Sequence, residues 1–261
     1  MTSPALSVER LLDATIALGP VLGLETGGPV ASLGVVARGR IQAALSRSFA
    51  SHCAGLPDAV DELLGAAELK LRDLAGIAVG IGPGSFTGLR VGLSYAKGLA
   101  SALGMALVGV SSLDAIALCA GREASAGVTV CPVIDARRGE VYAALYHSSG
   151  DALERVTGDL AVSVDELAAR LCGLGVAESA KPGSTDVMIV GEAKGAEVRS
   201  AAQARGCRVV LVTGAAELSL RGSLVAALGA GRIVSNETDN AAALEPRYVR
   251  PVDAVIKVAA S

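Results

Sequence analysis

Aromatic side chains are nearly missing from this chain: they make up 2% of its 261 residues, with two Phe, four Tyr and no Trp. Hydrophobic residues still reach 51%, so any core has to be assembled from Ala, Val, Leu and Ile. Histidine is almost as scarce, with only His52 and His147. A helical zinc site uses two histidines one turn apart, and the residue four after His52 is Leu56. No Ser–His–Asp arrangement can be argued from spacing either. The five cysteines (Cys53, Cys119, Cys131, Cys172 and Cys207) form no C-x-x-C pair. Scattered in this way, they read as reduced, mostly buried thiols of a cytoplasmic protein. The formal charge of -3 gives no basic excess and so no support for tight unaided binding to nucleic acid, although net charge does not show how charge is distributed. No apolar run approaches the ~20 residues that span a bilayer. Glu9, Arg10 and Asp13 interrupt the apolar start, so it does not read as a signal peptide. Leu6, Leu11, Leu12 and Ile16 instead suggest a short amphipathic extension over residues 1–20.

What the chain does have is an orderly alternation of strands and helices. Strands are expected over Val21–Glu25, Val30–Ala37 and Ile41–Phe49. A helix over Leu56–Leu69 follows, with Asp58, Asp61 and Glu62 in its early turns. Strand Ala75–Ile81, helix Gly88–Leu103, strand Ala106–Val110 and helix Ser112–Ala120 complete a first half, expected over residues 21–122. A second half, residues 123–261, runs in the same order. It has strands at Val128–Asp135, Glu140–His147 and within Ala152–Leu160, then helix Ser163–Cys172 with Glu166 three residues after a capping Ser163. Strand Val187–Val190, helix Lys194–Ala204, strand Arg208–Val212 and helix Ala215–Gly229 follow. Two antiparallel turns followed by right-handed crossovers give a mixed five-stranded sheet flanked by helices. The fold class is therefore α/β: two such sheets, the duplicated actin-like, sugar-kinase and Hsp70-type arrangement. The order of elements repeats, but the residues do not.

A glycine-rich loop, Gly80-Ile-Gly-Pro-Gly-Ser-Phe-Thr-Gly88, joins the fourth strand to its helix. It resembles a phosphate cradle but matches no standard spacing. Counted from Gly82, the Walker pattern puts Thr87 at its second glycine, and counted from Gly84 it puts Leu89 there. The dinucleotide pattern ends on Ser85 or Thr87, and Ser85 is flanked two away by Pro83 and Thr87 rather than the glycines of a nucleophile elbow. A general argument remains: glycines let backbone approach an anion, and amides at the helix start would face it. The structural alternative is a turn that only aims the helix. That helix carries a stripe of small residues (Gly88, Gly92, Ala96 and Ala100) and is apolar on most of the rest. A helix apolar all round is buried on more than one side, against its own sheet and either a neighbouring helix or another chain.

Two acids end strands in corresponding places. Glu25-Thr26 closes the first strand beside Gly27-Gly28, and Asp135 closes its counterpart in the second half. Facing each other across a cleft, such acids hold a metal–phosphate complex. Turn-forming polar residues would read the same way.

Several of these stretches resemble the TsaB (YeaZ) family, whose members take part in threonylcarbamoyladenosine modification of tRNA. The resemblance rests on Gly82-Pro-Gly-Ser-Phe-Thr-Gly-Leu-Arg90, Val108-Gly-Val-Ser-Ser-Leu113, Asp135-Ala-Arg-Arg-Gly-Glu-Val-Tyr142 and Pro246-Arg-Tyr-Val-Arg250. It covers about Val21 to Val252. It implies the duplicated actin-like fold and a non-catalytic relative of TsaD, the threonylcarbamoyl transferase. It further implies docking on TsaD through the first two helices, which designates Val60, Leu63, Leu64, Leu89, Gly92, Leu93, Ala96 and Ala100 as interface residues. TsaE, a small ATPase, and TsaC-type adenylate synthases are implied as functional partners, tRNA as an indirect one, and a homodimer through the same face when TsaD is absent. The metal-binding H-x-x-x-H of TsaD-like proteins is broken here as His52-Cys-Ala-Gly-Leu56, so no metal site and no catalytic residue are expected. Glu25 stands where the family has Asp.

The rival reading is an independent nucleotide hydrolase or kinase, with Glu25, Thr26, Gly82, Gly84 and Ser85 holding ATP or ADP with Mg. The first reading requires no cofactor. A third, a metalloprotease, would need bound zinc.

Overall fold

A computed structural model describes residues 5–48, 55–120, 123–173, 187–191, 193–212 and 219–249. The extension forms helix α1 (Val8–Leu18). Strands β1 (Val21–Glu25), β2 (Ala31–Ala37) and β3 (Arg40–Arg47) follow, then α2 (Leu56–Ala66), β4 (Gly76–Gly82), α3 (Phe86–Leu103), β5 (Ala106–Ser111) and α4 (Ser112–Cys119). These strands make one sheet in the order β3-β2-β1-β4-β5, antiparallel across the two hairpins and parallel from β1 to β5.

The second half begins with β6 (Thr129–Arg137) and β7 (Glu140–Ala143). The expected strand Glu140–His147 breaks after Ala143, and β8 (Tyr146–Ser148) turns away to pair with β9 (Leu153–Arg155) and the start of β6. The strand that completes the antiparallel path is β10 (Leu160–Ser163), later than expected. Then come α5 (Val164–Gly173), β11 (Val187–Val190), α6 (Ala193–Ala204), β12 (Val209–Val212) and α7 (Arg221–Val234). The path β10-β7-β6-β11-β12 repeats the order and directions of the first sheet, but β8 and β9 make the second sheet seven-stranded rather than five-stranded. The duplicated actin-like topology is thus visible strand by strand. No helix among the described residues is long and apolar enough to cross a membrane.

Both faces of the first sheet are covered, so β1 and β2 are buried throughout. Leu22, Leu24, Leu33 and Val35 pack on one face against Leu56, Val60, Leu63 and Leu93 of α2 and α3. Val21, Val36, Ala78 and Val108 pack on the other against Leu224, Val225 and Leu228 of α7. The last helix of the second half therefore fills the core of the first. Reciprocally, Leu113, Ile116 and Ala117 of α4 lie on Val130, Met188 and Val190 of the second sheet. Each of these helices thus packs on the sheet of the other half. Close approach replaces bulk here: a Cβ on Gly34 would lie 2.2 Å from Ser223 Oγ, and one on Gly23 2.0 Å from the carbonyl oxygen of Gly222. A core with few aromatics closes because helix backbone sits directly on strand backbone.

Two cysteines depart from the reduced-thiol expectation. Cys172 at the end of α5 and Cys207 before β12 form a disulfide, joining residues 35 apart in sequence that the chain order brings to one edge of the second half. Cys131 fits the expectation: it is fully buried in β6, and burial pushes its thiol up to about 12. His147 is exposed in β8, while His52 and Cys53 lie outside the described residues.

Candidate functional site

The C-terminal ends of β1 and β6 open onto a cleft of roughly 700 Å³ between the two halves. Glu25, Gly84, Ser85 and Ser112 line it from one side, Asp135 and Lys194 from the other. Glu25 is buried, and both its carboxylate oxygens are engaged. Oε1 accepts from the Gly27 amide at 2.7 Å, and Oε2 accepts from the Ser112 hydroxyl at 2.7 Å. Gly80 leaves room for this carboxylate, since a Cβ there would sit 2.3 Å from Oε2. Asp135 turns to its own hairpin, with Oδ1 accepting from the Arg137 amide at 2.7 Å. Lys194 pairs with Glu197 at 2.6 Å.

The glycine-rich loop meets its own chain at the turn after β1. The Ser85 amide donates to the Gly27 carbonyl at 2.7 Å, and a Cβ on Gly84 would lie 2.7 Å from that same oxygen. Ser85 caps α3, its hydroxyl accepting from the Gly88 amide at 3.4 Å. Thr26 donates through its hydroxyl to the Gly88 carbonyl at 2.8 Å. The five residues named for a nucleotide (Glu25, Thr26, Gly82, Gly84 and Ser85) gather in one place, and Glu25, Thr26 and Ser85 bond there to neighbouring backbone and to Ser112. The groups that would approach a Mg–nucleotide complex, the Ser85 amide and the Glu25 carboxylate, both have protein partners here. Among the described residues no group of three His, Cys, Asp or Glu could hold a metal.

The residues named for a partner need a correction. Val60, Leu63, Leu64, Leu89, Gly92, Leu93, Ala96 and Ala100 are all buried inside the chain. Seven of these side chains face the first sheet or the loop after β1, and Gly92 is occupied by Thr26, whose Oγ1 lies 2.2 Å from where a Cβ would be. The helix is apolar on its inner side because it packs on its own strands. Its outer side carries Arg90, Ser94, Gly98 and Ser101 exposed, with Val91, Tyr95 and Leu99 half-buried. On α2 the exposed residues are Pro57, Asp58, Asp61, Glu62, Gly65 and Ala66. The two faces adjoin: burial first, and then the charge of Asp61, raises the Tyr95 hydroxyl above its usual value.

Sequence reasoning missed what links the matched stretches. The tail after α7 returns to the glycine loop, with the Arg247 amide donating to the Ile81 carbonyl at 2.7 Å. Arg90 Nε donates to the Tyr248 hydroxyl at 3.0 Å, and its guanidinium lies 3.7 Å from the Phe86 ring centre. Arg247 also reaches Asp159 of the second half at 3.0 Å. Asp159 pairs with Arg155, which donates to Asp114 Oδ1 at 2.8 Å, and Asp114 accepts from the Tyr146 hydroxyl at 2.5 Å. Burial raises the Asp114 carboxyl, with Tyr146 and Arg155 pulling the other way. Burial and then Asp114 raise the Tyr146 hydroxyl. The only sequence sign of this chain was the matched Pro246-Arg247-Tyr248 stretch, which does not name its partners.

Comparison with known proteins follows from this geometry. The family profile for TsaD, tRNA N6-adenosine threonylcarbamoyltransferase, matches residues 47–254. The tRNA threonylcarbamoyladenosine biosynthesis protein TsaB of Bacillus subtilis (strain 168) is 39% identical over 109 residues, 42% of this chain and 46% of that protein. TsaB of Escherichia coli (strain K12) is 35% identical over 126 residues, 48% and 54% of the two chains. The chain thus spans about half the length of the curated relatives it matches. A crystal structure of a Pseudomonas aeruginosa protein described as similar to peptidase YeaZ superposes with a TM-score of 0.67 at 27% identity, covering 89% of this chain and 100% of that one. A second structure, YeaZ from the same organism, gives a TM-score of 0.65 at 24% identity and supports the fold. The chain belongs to the TsaD family, and within it to the TsaB/YeaZ group.

Proposed function

We propose that this chain is a non-catalytic subunit that binds TsaD and activates threonylcarbamoyl transfer to the adenosine beside the anticodon of tRNA. The observation that carries the reading is the Ser85 amide donating to the Gly27 carbonyl. The one loop that looked equipped for a phosphate is used to seat α3. What is left to act is a surface. The outward α2–α3 face combines an acidic rim at Asp58 and Asp61, with Glu62 beside them paired to Arg47, and a low, small-residue ridge at Ser94, Gly98 and Ser101. A partner helix bearing basic residues would lie close on that ridge and meet the acids with its charges. Activation then works by differential affinity: binding the active conformation of TsaD more tightly raises its population.

TsaE and a TsaC-type adenylate synthase act in the same process without needing to touch this chain, and tRNA is met through TsaD. The same face serves a homodimer when TsaD is absent, and the work is cytoplasmic. The chain divides for this purpose into an extension (1–20), a partner-binding half (21–122) and a second half with a C-terminal return (123–261). Reconstitution tests the reading. TsaD, tRNA and threonylcarbamoyl-adenylate are assayed with and without this chain; formation of the modified nucleoside should depend on it. Full modification in its absence would overturn the proposal. So would low-micromolar binding of Mg-ATP by the chain alone, lost in Glu25→Ala.

A further inference from the structure

The segment ahead of β1 makes contacts in both halves. Helix α1 lies along α7, with Leu11 beside Gly231 and Val8, Leu12 and Leu18 packed against the same cluster. Near its end, the buried Thr15 hydroxyl accepts from the Gly39 amide at 2.9 Å, in the turn between β2 and β3. At its start the chain enters the second half. Leu6 pairs antiparallel with Leu153 of β9, each amide donating to the other's carbonyl at 2.7 and 2.8 Å. The Leu6 side chain packs against two clusters, the one under α4 and the one under α7. Arg10 and Asp151 add an ion pair at 3.7 Å, exposed on both sides and worth little.

These contacts lie on the side away from the cleft. β9 pairs with β8, and β8 with Thr129 and Val130 at the start of β6, whereas Asp135 lies towards its other end. The Gly39 turn follows β2, whose Val36 pairs with Val21 at the start of β1, while Glu25 ends it. A hinge motion that changes the cleft must change the separation on the opposite side, unless its axis passes through that side.

We propose that residues 6–18 are a brace that fixes the angle between the two halves, so that the cleft cannot open or close without breaking the Leu6–Leu153 pair. A helix that merely covered α7 would not need this pair, because α1 begins at Val8. The exchange of α4 and α7 already narrows the motions available, and the brace removes the remaining rotation.

The test uses the full chain and two variants, one lacking residues 1–6 and one carrying Leu6→Pro. Proline has no amide to donate and leaves α1 in place. Spin labels are attached without thiol chemistry at exposed Ser94 on α3 and Ser200 on α6. The intact chain should give a single narrow distance distribution. Both variants should broaden and shift it, and in the truncated chain the Leu153 amide, which donates to the Leu6 carbonyl, should exchange about tenfold faster. Leu6→Val, which keeps both hydrogen bonds, should behave as the intact chain. A variant distribution that superposes on the intact one while Leu153 exchanges faster would reduce the pair to local trim and overturn the brace. Unchanged Leu153 exchange in the truncated chain, which lacks the Leu6 carbonyl, would overturn the pairing itself. Should the truncated chain fail to fold, Leu6→Pro decides alone.

Discussion

The Thr26 hydroxyl donates to the Gly88 carbonyl at 2.8 Å, and the Thr26 side chain fills the space that a Cβ on Gly92 would take. The turn that leaves β1 is thereby pressed into the first turns of α3. Two of the four small residues on this helix serve that contact and no other chain. Small residues at a spacing of four permit any close approach, and here the approaching backbone comes from 62 residues upstream.

Glycines on the two sides of α3 should therefore respond oppositely to alanine. Gly92→Ala places a Cβ 2.2 Å from Thr26 Oγ1 and should cost about 1–3 kcal/mol, through displacement of Thr26 and loss of its hydrogen bond. Gly98 is exposed with nothing within 4 Å of a Cβ, so Gly98→Ala should stabilise by up to about 1 kcal/mol. Thermal unfolding of the two variants measures both. Equal shifts would mean that Thr26 does not occupy that groove.

The order of elements was readable because each half alternates short apolar runs with helical periodicity, and the first half matched closely. Glu140–His147 read as one strand because no Gly or Pro interrupts it; the departure of β8 depends on β9, a partner that no local pattern shows. The positions of Glu25 and Asp135 in one cleft were legible from the repeated order. Their engagement was not, since the Ser112 hydroxyl that reaches Glu25 lies 87 residues away. The apolar stripe of α3 predicted burial correctly but could not say against what. Whether a hydrophobic face meets its own sheet or a stranger is a property of the tertiary fold.

The Asp114 network carries a pH dependence whose sign is fixed. Burial raises the folded carboxyl above its usual value of 3.8, so the folded state holds this proton more firmly than the unfolded chain. The stability contributed is full below that usual value and is lost as pH rises through the folded one. Urea unfolding of the parent and of Asp114→Asn across this window should show the parent's advantage shrinking as pH rises. An advantage that grows instead would mean that the Arg155 ion pair outweighs burial. Asp114→Ala should cost about 1–3 kcal/mol more than Asp114→Asn, since it leaves the buried Tyr146 hydroxyl without its acceptor.

The β2–β3 hairpin turns on Arg38-Gly39, with φ of 55° and 72°. Both central residues are left-handed, as a type I′ turn requires, and Asn is far better suited than Arg to the first position. Arg38 is exposed, so little packing would be lost. Arg38→Asn should stabilise by roughly 0.5–1 kcal/mol, measured as a rise in the denaturant midpoint at unchanged slope. A drop would show that the arginine stem or charge contributes more than the turn geometry.

Leu93 and Ser94 are neighbours on α3 that separate folding from partner binding. Leu93 is 4% exposed in the first-half core, and Ser94 faces outward. Leu93→Glu buries an unpaired charge and should lose about 3–5 kcal/mol, so any failure to bind TsaD would follow from unfolding. Ser94→Arg should leave stability within about 0.5 kcal/mol, because the side chain stays in water. On the proposed interface it sets a long cation on the ridge where a partner helix must lie close, opposite the basic residues expected there. Affinity for TsaD should fall at least about tenfold, the equivalent of ~1.4 kcal/mol. Titration calorimetry alongside thermal melts reads the two effects separately. A folded Ser94→Arg variant that binds TsaD as well as the parent would remove the outward face of α3 from the interface.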